Sequence, residues 1–270
     1  MAVTLPLIEQ LREFETPLVA EALAAMGCAD THKYYMGADI SLLNETPLPM
    51  VGIAMTLEAD TSSPDTDDDT SALFDACTQL EALAVPAVLV IKTIGSRPLH
   101  ECVLGDGMAK MMHAVGCCGV VTDGGVRDLA GITAVGLTIF GRGPVVNHAT
   151  LKFAKPSQPI KIGGIEVGDG DLVHGDCNGV HLVPAAYQSS VVEACILTRD
   201  FETQAHVHMR RSDKLTNDKR QFVGTLSKAH RAHCRKHLAD FQFPQIPRKC
   251  SQSTGVFIFC TLPLIASQSC

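Results

Sequence analysis

Tryptophan is absent from this chain of 270 residues, and aromatic side chains make up only 5% of it. The apolar fraction is nevertheless 46%, which is typical of a globular protein with a core built from Ala, Val, Leu, Ile and Met. No apolar run reaches the roughly 20 residues that a membrane helix needs. The longest lies near residues 255–266 and contains Pro263. The N-terminus has no basic stretch followed by an apolar one, so we expect neither a signal peptide nor a membrane anchor.

Several common catalytic patterns are also missing. The eleven cysteines include no C-x-x-C pair, which favours reduced, partly buried thiols and a cytoplasmic location over a disulfide framework. Gly105-Asp106-Gly107 does not continue as a dinucleotide fingerprint, and there is no phosphate-binding loop with its lysine. The two glycine turns at residues 105–107 and 123–125 contain no lysine, so a Schiff-base mechanism is disfavoured, although Lys110 lies close by.

Charge divides the chain into two parts. Residues 1–200 carry 11 basic and 25 acidic side chains, whereas residues 201–250 carry 11 basic and 4 acidic ones, and residues 251–270 carry none. We therefore predict a globular domain over residues 1–208 and an extension over residues 209–270 that is basic, then apolar, and partly disordered. Residues 210–236 contain only Phe222 as a stacking aromatic, which is not a platform for bases, so no nucleic-acid partner is predicted.

A histidine- and cysteine-containing segment lies within the basic extension. His230, His233, Cys234 and His237 have helical spacing, which zinc sites share. The arginines and lysine between them disfavour a cation, so we favour a basic, solvated helix.

Alternating apolar strands and amphipathic helices predict an α/β core over residues 50–200. Two helices are predicted within Leu5–Met26, because Thr16-Pro17 interrupts the pattern. Further helices are predicted over residues 71–84, 108–115, 129–135 and 185–207. Strands are predicted over residues 51–57, 85–91, 119–122 and 137–140, and hairpin strands over 160–167 and 171–183. The acidic segment 60–70 is predicted to be a solvated loop.

The segment Leu104–Leu129 carries the strongest functional signal, because two glycine turns flank a helix and a strand in it. Arg127 can bind a carboxylate with two parallel hydrogen bonds, and the adjacent Asp128 can hold a hard divalent cation with waters. Together they suit a small oxo-acid substrate. A structural ion pair on the surface is the alternative.

Asp106 lies between two glycines near the start of the predicted helix. Free backbone amides at a helix N-terminus favour an anion such as a substrate carboxylate. The Asp106 side chain could hold a metal-bound water, or it could instead cap the helix.

Taken together, the motifs resemble those of the RraA-like family. The matching blocks are Gly52-x-Ala54-x-Thr56, Gly105-Asp106-Gly107-Met108-Ala109, Gly119–Asp128, and Gly168-Asp169-x-Asp171 through Gly179-Val180 to Val183-Pro184. The family contains 4-hydroxy-4-methyl-2-oxoglutarate aldolases and the regulator of ribonuclease E activity A. The resemblance covers about residues 10–205.

The resemblance implies a three-layer β/β/α swivelling-domain fold and a homotrimer or a hexamer. It also implies an aldolase that depends on Mg²⁺ or Mn²⁺, cleaves 4-hydroxy-2-oxo acids to pyruvate and decarboxylates oxaloacetate. The Gly105–Met108 amides, including those of Asp106 and Gly107, would then bind the pyruvyl carboxylate. Arg127 would contact the substrate carboxylate and keto oxygen, Asp128 would hold the metal, and Asp106 would orient a metal-bound water.

A non-catalytic regulator that binds a ribonuclease or another protein is the alternative within the same family. Asp106 favours the enzyme. Active members of the family often carry an acidic residue two to four positions after the Arg-Asp pair. The five residues after Asp128 supply none, which favours the regulator.

Overall fold

A computed structural model describes residues 3–62, 67–148 and 150–239. The seven α-helices of these residues are α1 Leu5–Leu11, α2 Thr16–Ala25, α3 Ser71–Glu81, α4 Asp106–Ala114, α5 Leu129–Val135, α6 Val191–Met209 and α7 Thr216–Ala239. The strands are β1 Ser41–Leu42, β2 Met50–Asp60, β3 Ala87–Ile94, β4 Glu101–Leu104, β5 Cys117–Thr122, β6 Gly125–Val126, β7 Thr138–Gly141, β8 Asn147–His148, β9 Lys152–Ala154, β10 Ile160–Ile162, β11 Ile165–Val167, β12 Leu172–Asp176 and β13 Gly179–Val183.

The main sheet has the order β1-β7-β5-β3-β2-β12-β13, with β9 paired to the far end of β2. Its centre, from β2 through β3 and β5 to β7, is parallel, and the remaining pairs are antiparallel. Helices α3, α4 and α5 connect these parallel strands in turn. Because both faces are covered, the central strands are mostly apolar, as β3 shows with five successive buried residues from its start.

Two smaller sheets accompany the main one. Strands β10 and β11 form a hairpin whose inward residues join the core beneath β12 and β13. Strands β6, β4 and β8 form a parallel three-stranded sheet. Strand β4 leads directly into α4, and β6 leads to the turn before α5. The second small sheet therefore sets the relative position of the two glycine turns.

Most of the predicted elements are confirmed, including the break between α1 and α2. Proline occupies the first turn of both helices, where its missing amide hydrogen costs no helical hydrogen bond. The short helix predicted over residues 129–135 corresponds to α5. The predicted loop at residues 60–70 is confirmed between β2 and α3 where the structure describes it, and residues 63–66 lie outside the described part.

Two predictions about elements after residue 155 are wrong. Residues 160–167 form the hairpin β10–β11 and not one strand, because Gly163 and Gly164 adopt φ values of 57° and 85° that only a tight turn uses. Helix α6 begins at Val191 and not at residue 185. The intervening residues form successive turns, in which Tyr187 N–H donates to Pro184 O and Ser190 N–H donates to Tyr187 O.

The basic extension contributes a helix that packs on the domain. Helix α7 contacts α6 through His230, whose Nε2 lies 3.0 Å from Thr198 Oγ1 and whose ring stacks on Phe201 at 4.8 Å. Cys234 is also buried. Among the described residues no group of three or more His, Cys, Asp and Glu side chains could hold a metal ion. The side chain of His237 lies outside the described residues, so the structure does not test it as a zinc ligand.

The division at residue 208 stays a prediction, and residues 240–270 lie outside the described part of the chain. In the part that is described, none of the helices is both long and apolar enough to cross a bilayer.

Candidate active site

The first glycine turn joins β4 to α4. Gly105 occupies the N-cap position in an extended conformation, and its carbonyl accepts from the Ala109 N–H at 3.1 Å. The amides of a first helical turn have no acceptor within the helix, and the helix dipole adds to their attraction for an anion. A Cβ atom at Gly107 would meet no atom within 4 Å, so the space beside these amides is open.

The second turn is held against the first by the pairing of β6 with β4. The Arg127 N–H donates to Leu104 O at 3.0 Å. A Cβ atom at Gly105 would lie 3.4 Å from Arg127 Nε and 3.2 Å from Asp128 Oδ2. The structure therefore brings together Gly105, Arg127 and Asp128, and the absence of a side chain at position 105 permits this approach.

Arg127 has hydrogen-bonding capacity to spare. Its Nε lies 3.3 Å from Asp128 Oδ2, which is an ion pair by distance. The same Nε is buried and has no hydrogen-bond acceptor with acceptable geometry among the described residues. About a third of the side chain is exposed (35%). A carboxylate that approached this guanidinium would supply the missing acceptors.

Asp128 has an unusual backbone conformation, with φ 57° and ψ 36°. This left-handed region is sparsely populated by residues with a side chain, although aspartate tolerates it. Asp128 precedes α5 but its carboxylate does not cap that helix. The carboxylate lies beside Gly105 and is 45% exposed, so it can accept a cation or a water.

Asp106 is the first residue of α4, and its Oδ2 lies 2.7 Å from Lys110 Nζ one turn later. The hydrogen bond from Lys110 is the main reason that the pKa of Asp106 is lowered, and the positive charges of Lys110 and Arg127 contribute as well. Asp106 is therefore an ionised acceptor. Gly105 occupies the N-cap position, and the Asp106 carboxylate also accepts from the Gly107 amide in the first turn, so a helix-capping role remains the alternative to a catalytic one.

Gly131 also belongs to this site, although the sequence motifs do not predict a role for it. A Cβ atom at Gly131 would lie 2.8 Å from Asp106 Cβ and 3.0 Å from Asp106 Oδ2. The close contact of α5 with α4 at this point fixes the position of Asp106. A glycine inside the seven-residue helix α5 is the signal that could have revealed it, since glycine costs helix stability unless close packing requires it.

Asp123, in the second glycine turn, has a structural role. Its carboxylate is buried and accepts from Thr93 N–H at 2.7 Å and from Thr93 Oγ1 at 2.8 Å, and it also pairs with Lys92. These bonds tie the end of β5 to β3. They therefore hold the start of the turn that leads to Arg127.

The donor set at this site suits a hard cation with an incomplete protein shell. Asp128 offers one exposed carboxylate, and Asp106 is held by Lys110. Mg²⁺ commonly binds proteins through one or two carboxylates and keeps several waters for substrate oxygens to replace. The residues present fit such an ion at Asp128.

A family model described as RraA-like, aldolase/RraA, matches residues 16–182. Similarity extends to a Halalkalibacterium halodurans protein provisionally named 4-hydroxy-4-methyl-2-oxoglutarate aldolase, which is 27% identical over 187 residues, or 69% of this chain and 80% of the relative.

Two solved structures resemble this chain closely enough to define its fold. Streptomyces coelicolor RraAS2, described as an unusual member of the RNase ES inhibitor RraA family, has a TM-score of 0.59 and 22% identity, over 78% of this chain and 99% of that one. An uncharacterised protein from Pseudomonas syringae has a TM-score of 0.62 and 22% identity, over 82% of this chain and 96% of that one.

This chain belongs to the RraA-like family, and its fold is the three-layer β/β/α fold of that family with a C-terminal extension. The proteins that it resembles include one provisionally named as an aldolase and one described as an unusual member of the RNase ES inhibitor RraA family. The predicted fold class is confirmed.

Proposed function

We propose that the protein is an aldolase dependent on Mg²⁺ or Mn²⁺, which cleaves 4-hydroxy-2-oxo acids such as 4-hydroxy-4-methyl-2-oxoglutarate to pyruvate and decarboxylates oxaloacetate. The observation that carries the proposal is the convergence of Arg127 and Asp128 on Gly105, at the N-terminus of α4. The similarity to a protein named for this activity supports it.

In this proposal the first turn binds the carboxylate of the pyruvyl unit. The amides of Asp106, Gly107 and Met108 lie in the first turn of α4, where the helix dipole favours negative charge. Arg127 adds a guanidinium to the same carboxylate and to the keto oxygen. The substrate is then held at both ends of its oxo-acid group, which fixes its orientation.

Cleavage of the C3–C4 bond leaves negative charge on the pyruvate enolate. Arg127 stabilises that charge where it develops, because its partly exposed guanidinium lies beside Gly105 at the start of α4. A divalent cation at Asp128 supplies Lewis-acid polarisation of the C2 carbonyl when it is bound. Asp106, ionised through its contact with Lys110, orients a water that takes the C4-hydroxyl proton and later returns a proton to the enolate.

The side chains of Arg127 and Asp128 are exposed by about a third to a half, so one chain leaves the site open on one side. We propose that a homotrimer, or a hexamer built from trimers, closes it. Light scattering coupled to size exclusion measures the assembly directly, and a monomer with full activity would refute this part of the proposal.

Pyruvate release from 4-hydroxy-4-methyl-2-oxoglutarate and from oxaloacetate, measured with Mg²⁺ and with a chelator, tests the activity. We expect Arg127→Ala and Asp128→Ala to lower kcat/KM by at least about 100-fold, the effect typical of removing a group that stabilises transition-state charge. Arg142→Ala is the matched control, because Arg142 pairs with Asp39 on the surface outside this site. Equal activity of wild type and either site variant would refute the site assignment.

A non-catalytic regulator of a ribonuclease is the second candidate. It is favoured by the absence of an acid in residues 129–133 and by the name of the Streptomyces neighbour. Failure of the wild-type protein to turn over either substrate with Mg²⁺ or Mn²⁺ would favour this candidate over the aldolase.

A further inference from the structure

A cavity of about 410 Å³ lies at the ends of α4 and α5 opposite to the candidate active site. His113 and Gly116 line it where α4 ends, and Thr133 and Gly136 line it where α5 ends. The active-site residues Asp106 and Asp128 lie at the starts of these two helices. The volume is within the range of small-molecule sites.

Arg12, which follows α1, lines this cavity. Its Nε is buried and has no hydrogen-bond partner among the described residues. No carboxylate of the described residues lies within 4.0 Å of it, whereas Arg142 and Arg211 lie 2.9 and 2.6 Å from aspartates. Glu45 also lines the cavity but is exposed and makes no such pair with Arg12.

The neighbours of the Arg12 guanidinium do not balance its charge. Cys118 contacts Arg12, but burial raises the pKa of the Cys118 thiol to about 11, so the thiol stays neutral. A buried guanidinium nitrogen without an acceptor costs free energy, because it has lost its water without gaining a partner. A bound anion would supply that partner through a charge-assisted hydrogen bond.

The rest of the cavity narrows the class of anion. The C-terminal ends of α4 and α5 carry partial negative charge that offsets part of the Arg12 charge, so a ligand with a single negative charge matches the cavity better than one with two. Pro47, Leu48, Pro49 and Met50 form an apolar wall. A ligand that fits both features has one carboxylate and an apolar body.

We propose that this cavity is a second ligand site, which binds a small organic monocarboxylate through Arg12 and places the apolar part of the ligand against residues 47–50. The site is separate from Arg127 and Asp128 and does not depend on the proposed aldolase activity.

The probe is 4-fluorobenzoate, and its binding to the full chain is followed by ¹⁹F NMR line broadening. The neutral isostere 4-fluorobenzamide is the matched ligand. We expect the carboxylate to bind at least about tenfold more tightly than the amide. We also expect Arg12→Gln to bind 4-fluorobenzoate about tenfold more weakly than the wild type does, because a charged hydrogen bond is lost. Arg142→Gln is the control variant and should bind as wild type does.

Two further variants keep the test decisive. Leu48→Trp fills the cavity from its exposed rim and should weaken binding even if Arg12→Gln does not fold. Arg127→Gln should leave binding unchanged. Equal affinity for carboxylate and amide, unchanged binding in folded Arg12→Gln and Leu48→Trp, or loss of binding in Arg127→Gln alone would each overturn the proposal.

Discussion

At the scale of single residues, the candidate site combines the constrained backbone of Asp128 with the charged side chains of Arg127 and Asp128, which can still bind a ligand. Asp128 adopts a left-handed conformation that costs free energy, and such outliers persist where the surrounding structure imposes them. Arg127 Nε and Asp128 Oδ2 lie 3.3 Å apart without a hydrogen bond. Oδ2 of Asp106, in contrast, accepts from Lys110 at 2.7 Å. The pair therefore remains available to a ligand, while Asp106 is held in its charged form.

Replacement of Lys110 by Met is expected to raise the pKa of Asp106, because the lysine is the main cause of its lowering. If Asp106 acts in its ionised form, the acidic limb of the kcat/KM profile moves to higher pH. Titration of the labelled Asp106 carboxyl by NMR checks the pKa directly. Lys33→Met, which removes a similar surface pair with Asp30, should leave both measurements unchanged. An unmoved Asp106 titration would contradict the prediction.

At the scale of elements, α4 and α5 connect the two glycine turns, and their contact depends on a missing side chain. Gly131 allows Asp106 to approach within van der Waals distance. Strand β4, which pairs with β6, then fixes where both helices begin. Helix α7 also packs through particular residues, since His230 and Cys234 are buried in a basic helix that is mostly exposed over residues 216–236.

Two glycine-to-alanine substitutions in these helices should change stability in opposite directions. Gly131→Ala places a Cβ 2.8 Å from Asp106 Cβ, so we expect a loss of about 1–3 kcal/mol from overpacking. Gly107→Ala meets no atom within 4 Å and should stabilise the protein by up to about 1 kcal/mol through helix propensity. Urea unfolding monitored by circular dichroism measures both. A destabilised Gly107→Ala or a neutral Gly131→Ala would contradict the packing described above.

At the scale of the whole molecule, two buried histidines lie where the N-terminal part of the chain meets the sheet. His174 contacts the first two helices, and the backbone of His181 forms a β-bridge with Tyr35. His174 is bonded to Thr16 Oγ1 at 2.9 Å and contacts Leu11 O at 3.1 Å. His181 Nδ1 lies 2.6 Å from Leu182 O. Burial is the main cause that lowers the pKa of both, to about 4 for His181. Both side chains are therefore neutral in the folded protein at neutral pH.

Stability is therefore expected to fall as the pH drops from about 6.5 toward 4. In that window the unfolded chain binds protons at these positions and the folded protein does not, so protonation favours unfolding. His181 alone accounts for roughly 3 kcal/mol at full effect. Urea unfolding at a series of pH values measures the slope. His181→Leu should reduce it, whatever its effect on stability at pH 7.5, and an unchanged slope would contradict the prediction.

The sequence by itself determined the family, most helices and strands, and the identity of the two turns, because hydrophobic periodicity, proline and glycine act locally. It could not distinguish the β10–β11 hairpin from one strand, or the turns at residues 185–190 from helix, because both depend on a few backbone hydrogen bonds. Only the tertiary structure placed Gly105 against Arg127 and Asp128, set Gly131 against Asp106, and left Arg12 without a carboxylate beside a cavity. These contacts join residues that are distant in the chain, and their geometry follows from how strands pair and helices pack.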